Sequence, residues 1–454
     1  MTKVEKSMKQ AAQTISQETI SQLREQFEED SIARIVQNAV TQTSADDVAL
    51  NRSTITDNNF SFSILLDQWT ATNQKRSGRC WMFAALNLLR VGAMEKMNRK
   101  EFEFSQNYTL FWDKFERANF FLEEMIRTAD RDTDDRFVAF LLQTPLSDGG
   151  QWNMAVDIIR KHGLVPKEVM PETESSSNTR RMNAILTERL RQGARDLRRN
   201  IQAKHSVRTV KANILQDIWR ILCIHLGTPP QTFLWQWNDK DQHFHRDGIL
   251  TPQEFAQRYI TLPIYDYLCL VHDPRPENPY GRTYTVEGLG NVVGGEKVVY
   301  LNVEMELMKE IALRQLQDRT PVWFGCDVGK QMRRDLGIWD CDLFDYSQLY
   351  QIPFNLNKGE RLHYHQTRMT HAMLFTGVDV LNGKTRRWRV ENSWGTDNGR
   401  KGFYSMNDSW FDEYMFEIAA PRSMIPANLL TAFDEDPIVL PAWDPMGALA
   451  RSRD

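Results

Sequence analysis

The stretch "NQKRSGRCWMFAALNLLR", Asn73–Arg90, places a cysteine between a polar turn and a long apolar run. Apolar side chains recur there at intervals of three and four, and small or apolar residues fill the other sides, which predicts a helix buried nearly all round. Cys80 stands in its first turn. The free N–H groups and positive dipole end of a helix favour a thiolate, the nucleophile of acyl transfer. Cys80 is therefore the leading candidate for a catalytic residue, against the alternative of a small buried hydrophobe.

The other cysteines, Cys223, Cys269, Cys326 and Cys341, lie in apolar or strand-like runs, where a free cysteine usually serves as a small hydrophobe. The absence of a CxxC pair predicts reduced thiols rather than a disulfide frame or a zinc site. The net charge of the 454 residues is -4, which provides no general attraction to nucleic acid or membrane. There is no apolar run of spanning length and no apolar stretch of signal-peptide type at the N-terminus. We therefore expect a cytoplasmic protein without membrane association.

Strand-like segments come late in the chain, after a long helical part. They read "VWFGCDV" (322–328), "AMLFTGVDV" (372–380) and "RRWRVENSW" (386–394). Helices first and strands later predict an α+β fold, in which a helical half packs against an antiparallel sheet. In the last segment Asn392 shares one face with apolar neighbours, so its amide is expected to point into the protein.

A nucleophilic thiol needs a base and a group that orients this base. His371 starts an apolar strand, and the inward carboxamide of Asn392 can accept from an imidazole N–H. Trp394, on the same face, would shield that hydrogen bond from water. Gln74, upstream of Cys80, can donate an amide N–H to an oxyanion, together with the backbone N–H at the helix start. Each has an ordinary alternative (a core histidine, a buried amide, a surface glutamine), and the combination is what favours a catalytic site.

Four segments, "NQKRSGRCWMFA", "SDGGQWNM", "MTHAM" and "RVENSWG", together resemble the papain-like cysteine peptidases, and more closely their bleomycin hydrolase and aminopeptidase C branch. Further segments such as "FEFSQNY" and "LPAWDPMGALA" extend the resemblance over essentially the whole chain. The resemblance implies a two-lobed α+β fold, with a helical lobe, an antiparallel β-barrel-like lobe, a large helical insertion and a C-terminal arm. It also implies roles: Cys80 as nucleophile, His371 as base and acid, Asn392 as orienting residue and Gln74 as oxyanion donor.

Two features depart from the simpler enzymes of this family. The Ser-Gly-Arg-Cys-Trp sequence around Cys80 does not meet the general cathepsin-type signature. The separation of Cys80 and His371 is about twice the roughly 130–150 residues of those enzymes, so a long insertion is expected. The expected segments are a helical N-terminal extension, a helical lobe with the nucleophile, a mainly helical insertion, a β-rich lobe with His371 and Asn392, and a C-terminal arm (1–60, 61–175, 176–300, 301–420 and 421–454).

Two further substrate-binding elements are implied by the resemblance. Gly149 and Gly150 fall where papain-like enzymes hold an extended substrate along the backbone, and glycine permits such a close approach. A plain turn is an equally acceptable interpretation. In the resembling branch the C-terminal arm lies in the cleft, and its terminal carboxylate faces the free amine of a peptide. The match ends at Ala450, and we hypothesise that residues 451–454 are removed to expose it, the alternative being a frayed terminus.

The resemblance implies a cytosolic thiol aminopeptidase that removes N-terminal residues from peptides through a thioester, without a cofactor or metal, and that forms a homohexamer. Two alternatives stay open: an endopeptidase of the same fold, and an oligomer that binds nucleic acid or peptides. The basic run 180–211 gives only weak support to nucleic-acid binding, because such a run is more often a solvated helix face. The pairs His243/His245 and His363/His365 have no third ligand at a zinc-binding spacing.

Overall fold

Two units make up the chain in the computed structural model, which describes residues 14–66 and 69–451, without the side chains of 450 and 451. One unit contains the described residues up to Asp57 together with Asp342–Asn355; the other contains Asn58–Cys341 and the described residues from Leu356 onward. Within the described ranges, no helix has both the length and the apolar character needed to span a bilayer.

The helices and strands of the described residues follow in chain order. The helices are α1 (Gln17–Glu29), α2 (Ser31–Val40), α3 (Ala45–Ala49), α4 (Arg52–Asp57), α5 (Cys80–Lys96), α6 (Gln106–Arg127), α7 (Arg136–Gln143), α8 (Trp152–His162), α9 (Glu174–Ser177), α10 (Arg180–Gln202), α11 (Arg208–Leu226), α12 (Pro252–Tyr259), α13 (Met305–Gln317), α14 (Tyr346–Tyr350), α15 (Lys358–His363), α16 (Asp408–Tyr414) and α17 (Ala427–Leu430). The strands are β1 (Ile64–Leu65), β2 (Phe233–Asn238), β3 (Phe244–Leu250), β4 (Tyr267–Val271), β5 (Thr283–Val286), β6 (Tyr300–Asn302), β7 (Val322–Cys326), β8 (Met332–Arg333), β9 (Ile338–Trp339), β10 (His371–Leu381), β11 (Lys384–Glu391), β12 (Phe403–Asn407), β13 (Met415–Pro421) and β14 (Ile438–Leu440).

The smaller unit is built from the short helices α1–α4 and α14. Side chains at the helix starts satisfy free backbone N–H groups, as when Asp30 accepts from the first turn of α2. The end of α3 is tied to the segment before α14, because Asp345 N donates to Ala49 O at 2.8 Å. Tyr346 Oη also donates to Asp46 Oδ1 at 2.5 Å. Helices α1–α4 lie in the segment 1–60 that was predicted as a helical N-terminal extension.

The central helix of the larger unit is α5. It begins at Cys80, as predicted, and every residue from Cys80 to Arg90 is buried. It packs against β7 and β10. The indole Nε1 of Trp323 in β7 donates to the backbone oxygen of Trp81 at 3.1 Å, which ties the first turn of α5 to the sheet. The position of Cys80 is therefore set by packing on all sides of its helix.

One mixed sheet contains the strands of the described residues apart from the β2–β3 hairpin. Its order is β14-β5-β6-β4-β13-β7-β10-β11-β12-β9-β8, and β1 pairs with β10. The strands from β13 to β12 pair antiparallel, as predicted. The pairs β4–β6, β5–β14 and β9–β12 are parallel, so the sheet is mixed rather than wholly antiparallel. Parallel pairs need crossover connections, which the pattern within a strand does not reveal.

The segment 176–300, predicted as a mainly helical insertion, has two parts. Its first part is helical, and α10 and α11 pack on each other and on α6. After the β2–β3 hairpin and α12, strands β4, β5 and β6 join the large sheet. The sheet therefore begins before residue 301, where the β-rich lobe was expected. The reason is that "YLCLV" in β4 is continuously apolar, and periodicity does not distinguish such a run from a buried helix.

Candidate active site

Cys80 occupies the first position of α5 and is only 3% exposed. Arg79, at the N-cap, makes no side-chain capping hydrogen bond. The first-turn N–H groups and the helix dipole therefore remain directed at the region of the thiol. The helix of Cys80 packs against β7, which ends at Cys326. Burial, and then the charges of Asp327 and Cys80, raise the pKa of the Cys326 thiol well above its ordinary value.

His371 is the first residue of β10 and pairs in register with Cys326 of β7. Its Nε2 donates to Asn392 Oδ1 at 2.9 Å, and both side chains are buried. This hydrogen bond fixes the proton on Nε2 and leaves Nδ1 as the basic nitrogen. Burial lowers the pKa of His371 to about 4; the Asn392 hydrogen bond opposes this shift and the Arg334 cation adds to it. The imidazole is therefore neutral at neutral pH.

Trp394 covers the imidazole of His371. Their ring centroids are 5.0 Å apart at an interplanar angle of 37°. The guanidinium of Arg334 lies over the same indole, 4.6 Å from its centroid. Trp394 therefore has the position from which it can shield the hydrogen bond between His371 and Asn392.

Gln74 is buried and is held at three points. Its backbone N–H donates to Ser393 O at 2.8 Å, and its Oε1 accepts from Ser393 Oγ at 2.6 Å. Its Nε2 donates to Ser77 O at 2.5 Å. An amide nitrogen carries two hydrogens, so one remains for an oxyanion. Because Ser393 N also donates to Asn392 Oδ1 at 2.7 Å, Ser393 connects the amides of Gln74 and Asn392.

Gly149 and Gly150 differ in how their backbone groups are used. Gly149 O accepts from Arg117, and Gly149 N donates to Ser147 Oγ. Within residues 14–66 and 69–451, Gly150 N–H and C=O have no hydrogen-bond partner. A Cβ on Gly150 would lie 2.4 Å from the indole of Trp81, so a larger residue does not fit there. Gly150 is the one of the pair that keeps its backbone available to a peptide.

The segment before these glycines is fixed by an ion pair between Asp148 and Lys114, at 2.5 Å, with both side chains buried. The carboxylate also accepts from Gly78 N at 3.1 Å and from Asn183 Nδ2 at 2.7 Å. Burial by itself would raise the pKa of Asp148, but Lys114 and the hydrogen bonds from Thr179 and Asn183 outweigh it and hold the pKa well below its usual range. Asp148 thus joins the turn before Cys80, the glycine segment and helix α10.

Residues 14–447 match the model of the Peptidase C1-like family. The chain belongs to this family. It is a cysteine peptidase, and the papain-like α+β fold predicted from the sequence is confirmed.

Named relatives of this Peptidase C1-like chain cover nearly its whole length. Bleomycin hydrolase of Homo sapiens is 41% identical over 450 residues, which are 96% of this chain and 99% of that protein. Aminopeptidase C of Lactococcus lactis subsp. lactis (strain IL1403) is 43% identical over 438 residues, which are 96% of this chain and 100% of that protein. The crystal structure of PepW from Lactobacillus rhamnosis HN001 has a TM-score of 0.94 at 42% identity and covers 96% of this chain and 99% of that one. The predicted resemblance to bleomycin hydrolase and aminopeptidase C is confirmed.

The C-terminal arm of this Peptidase C1-like chain runs along the sheet toward the site. β14 pairs with β5, and a 3₁₀ helix over Pro445–Arg451 follows. Tyr300 Oη donates to Met446 O at 3.4 Å. A cavity of about 730 Å³ is lined both by arm residues 442–445, 447 and 448 and by Thr370, the neighbour of His371. Ala450 was predicted to contact the substrate, but its side chain lies outside the described part of the chain. Residues 452–454 lie outside it as well.

Three residues of the site carry no clear signal in the sequence. Ser393 stands between Asn392 and Trp394, after β11 has ended, and only its contact with Gln74 reveals its place. Arg334 lies far from the motifs, and no local pattern pairs Lys114 with Asp148. Among the described residues, no group of three or more His, Cys, Asp or Glu side chains is arranged to hold a metal ion.

Proposed function

We propose that this chain is a thiol aminopeptidase, which removes single residues from peptides with a free N-terminus. The observation that carries the chemistry is the buried hydrogen bond from His371 Nε2 to Asn392 Oδ1, on a strand that packs against the helix of Cys80. This hydrogen bond supports a neutral imidazole with a fixed tautomer, which we propose acts on the Cys80 thiol. The names of the relatives, aminopeptidase C and bleomycin hydrolase, support a peptidase of this kind.

Acylation begins when the Cys80 thiol gives its proton to His371 Nδ1. The thiolate then attacks the substrate carbonyl, and the resulting oxyanion accepts from the Cys80 backbone N–H and from the second hydrogen of Gln74 Nε2. The C–N bond breaks as the imidazolium returns a proton to the leaving amine, and a thioester remains. In the second half a water molecule loses a proton to His371 and attacks the thioester. The amino acid leaves, and the thiol recovers its proton.

Asn392 and Trp394 act through His371. The Asn392 oxygen holds the ring so that Nδ1 faces the thiol, and it stabilises the imidazolium that forms during attack. Trp394 keeps water from competing for that hydrogen bond. Gly150 binds the residue on the acyl side through its free N–H and C=O, in the manner of an added β-strand.

The restriction to free N-termini is assigned to the arm. Arm residues 442–445, 447 and 448 share a cavity with the loop before His371, which supports the proposal that a longer peptide on the acyl side would meet the arm. A terminal carboxylate at Ala450, exposed after removal of residues 451–454, would attract the ammonium of a peptide N-terminus in a partly dry cleft.

The test compares an aminoacyl fluorogenic amide with its N-acetylated twin. We expect hydrolysis of the free amine and little hydrolysis of the blocked one, whereas preference for the blocked substrate contradicts an aminopeptidase and favours the endopeptidase alternative. Intact mass tests the trimming separately. We expect the wild-type protein to end at Ala450 and Cys80→Ala to keep its full length; two full-length masses would reject self-trimming.

We also propose, from the resemblance alone, that the protein is a cytosolic homohexamer. Light scattering after size-exclusion chromatography tests this assembly. We expect a mass near six chains of 53.0 kDa, and a monomeric mass at micromolar concentration contradicts it.

A further inference from the structure

A polar cavity of about 750 Å³ opens beside the glutamine that is proposed to hold the oxyanion. Its walls are formed by residues 74–77, by residues 143–148 and by the start of α10 with the turn before it. The first two walls are joined where Gly78 N donates to Asp148 Oδ2. The cavity therefore continues directly from the turn before Cys80 and from the segment before Gly150.

The geometry of acyl transfer determines which part of a substrate meets this cavity. In the proposed mechanism the carbonyl under attack is held by the Cys80 N–H and Gln74, and the backbone before it binds along Gly150. This arrangement directs the side chain of the same residue toward the space between the 74–77 wall and the 143–148 wall. For an aminopeptidase this is the side chain of the N-terminal residue.

The charge of the lining is one-sided. Lys75, Arg76 and Arg180 line the cavity, and all three are exposed. The Lys75 backbone is in the left-handed region, with φ of 54°, and its N–H donates to Asn73 Oδ1 at 2.9 Å, which fixes the point from which this lysine extends.

Asp148 is the only acid among the described lining residues, and it does not balance these cations. Its carboxylate is buried and already paired with Lys114, and it accepts from Gly78 and Asn183 as well. Glu174, which accepts from the lining residue Asn178 at 3.4 Å, does not itself line the cavity. The cavity therefore presents cations and neutral polar groups to an entering side chain.

We propose that this cavity receives the side chain of the N-terminal substrate residue and favours an acidic one, aspartate or glutamate. The inference rests on the proposed aminopeptidase function and adds the class of residue that is removed. A carboxylate gains from three nearby cations, whereas a lysine side chain is repelled by them. Because the cations are exposed, the preference is moderate and depends on salt.

The experiment measures kcat/KM for the free-amine fluorogenic amides of Glu, Gln and Lys at low ionic strength. We expect the Glu amide to exceed its isostere Gln by about fivefold, the effect of a partly screened ion pair, and the Lys amide to be the poorest. Raising the salt concentration should narrow the ratio of Glu to Gln.

Two variants of adjacent arginines test the assignment of the cavity. Arg180→Gln removes a lining cation and should lower the Glu-to-Gln ratio by about two- to threefold. Arg181→Gln, the matched control, changes an exposed arginine on the same helix that does not line the cavity. Equal rates for the Glu and Gln amides, or an equal loss in both variants, overturns the inference while leaving the aminopeptidase intact. Failure to hydrolyse any free-amine amide overturns the proposed function, and this inference with it.

Discussion

Arg275 donates two hydrogen bonds to the carboxylate of Asp444, at 2.9 and 3.0 Å, and so holds the C-terminal arm against the body of the enzyme. The opposite edge of the same guanidinium is paired with Asp273. Both partners are nearly buried, with 8% and 6% of their side chains exposed. Asp444 Oδ1 also accepts from Met446 N at 2.9 Å, at the start of the last 3₁₀ helix. The pair thus fixes both the place and the direction of the final turn.

The first prediction concerns this pair. Asp444→Asn should lower the preference for a free-amine substrate over its N-acetylated twin by about tenfold or more, because a small displacement of the arm moves its end away from the substrate amine. Arg275 keeps Asp273 as its partner in this variant, so no buried cation is left without a counter-charge. The preference is the ratio of the two kcat/KM values.

A matched control for Asp444→Asn lies on the same arm. Glu435→Gln breaks the ion pair between Glu435 and Arg282, whose side chains are 66% and 48% exposed, respectively. Because this pair is exposed, its loss should leave the preference for a free-amine substrate unchanged. An unchanged ratio in Asp444→Asn, or an equal loss in Glu435→Gln, would show that the Arg275–Asp444 pair does not set the position of the arm.

The second prediction concerns the orientation of the base. Asn392→Ala should lower kcat by about 10- to 100-fold with little change in KM, because the imidazole loses the acceptor that fixes its tautomer and plane. Steady-state kinetics on the free-amine amide measure both constants. A rise in KM with kcat preserved would mean that Asn392 binds substrate instead of positioning His371.

The third prediction is the acid limit of thiol reactivity. His371 accepts a proton in the first step, and its pKa is lowered to about 4 chiefly by burial. The rate of Cys80 alkylation by iodoacetamide, and kcat/KM with it, should therefore fall as the pH drops through about 4. The alkylation rate is followed by mass spectrometry over the pH range in which the protein stays folded. A limb near pH 6.5, the ordinary histidine value, would contradict a buried neutral imidazole.

The fourth prediction concerns Glu417, a fully buried residue of β13. Neither of its carboxyl oxygens has a hydrogen-bond partner among the described residues. Burial raises the pKa of Glu417 to about 8, and the nearby thiol of Cys269 opposes this shift only in part. From about pH 4.5 to 8 the unfolded chain releases this proton and the folded chain keeps it. The folded state therefore binds more protons, and its stability falls as the pH rises through that window.

Glu417→Gln removes this penalty. Near pH 4.5 the free energy of unfolding of the variant should be equal to or lower than that of the wild type. Between pH 4.5 and pH 8.5 it should rise relative to the wild-type value by about 4 kcal/mol. Urea unfolding at several pH values measures the difference, with the exposed Glu435→Gln as control. Parallel pH curves for Glu417→Gln and the wild type would mean that Glu417 is ionised in the folded protein.

Local patterns were sufficient to predict α5 and the burial of Asn392. The apolar spacing after Cys80 and the alternation before Trp394 both depend on residues close in sequence. Strands β4, β5 and β6 begin before the expected segment boundary at 301, and their place in the sheet was not predicted because the apolar run of β4 has no period. The parallel strand pairs were missed because they depend on crossovers.

Side-chain pairs between distant segments were beyond prediction from one sequence. Ser393 meets Gln74 across 319 residues, and Arg275 meets Asp444 across 169. Neither pair belongs to a local motif, and both depend on how strands of the large sheet are ordered. Gly150 was predicted as a substrate-binding residue only through the resemblance, and its contact with the Trp81 ring supplies a physical reason for glycine at that position.

The most direct test of the account is hydrolysis of a free-amine aminoacyl amide by three proteins: wild type, Cys80→Ala and Cys223→Ala. Cys223, on α11, is a control thiol outside the site. The account predicts that Cys80→Ala loses all measurable hydrolysis and that Cys223→Ala keeps the wild-type rate. Thiol alkylation should abolish hydrolysis by the wild type and by Cys223→Ala. Hydrolysis by Cys80→Ala at the wild-type rate would contradict the central claim that this thiol is the nucleophile.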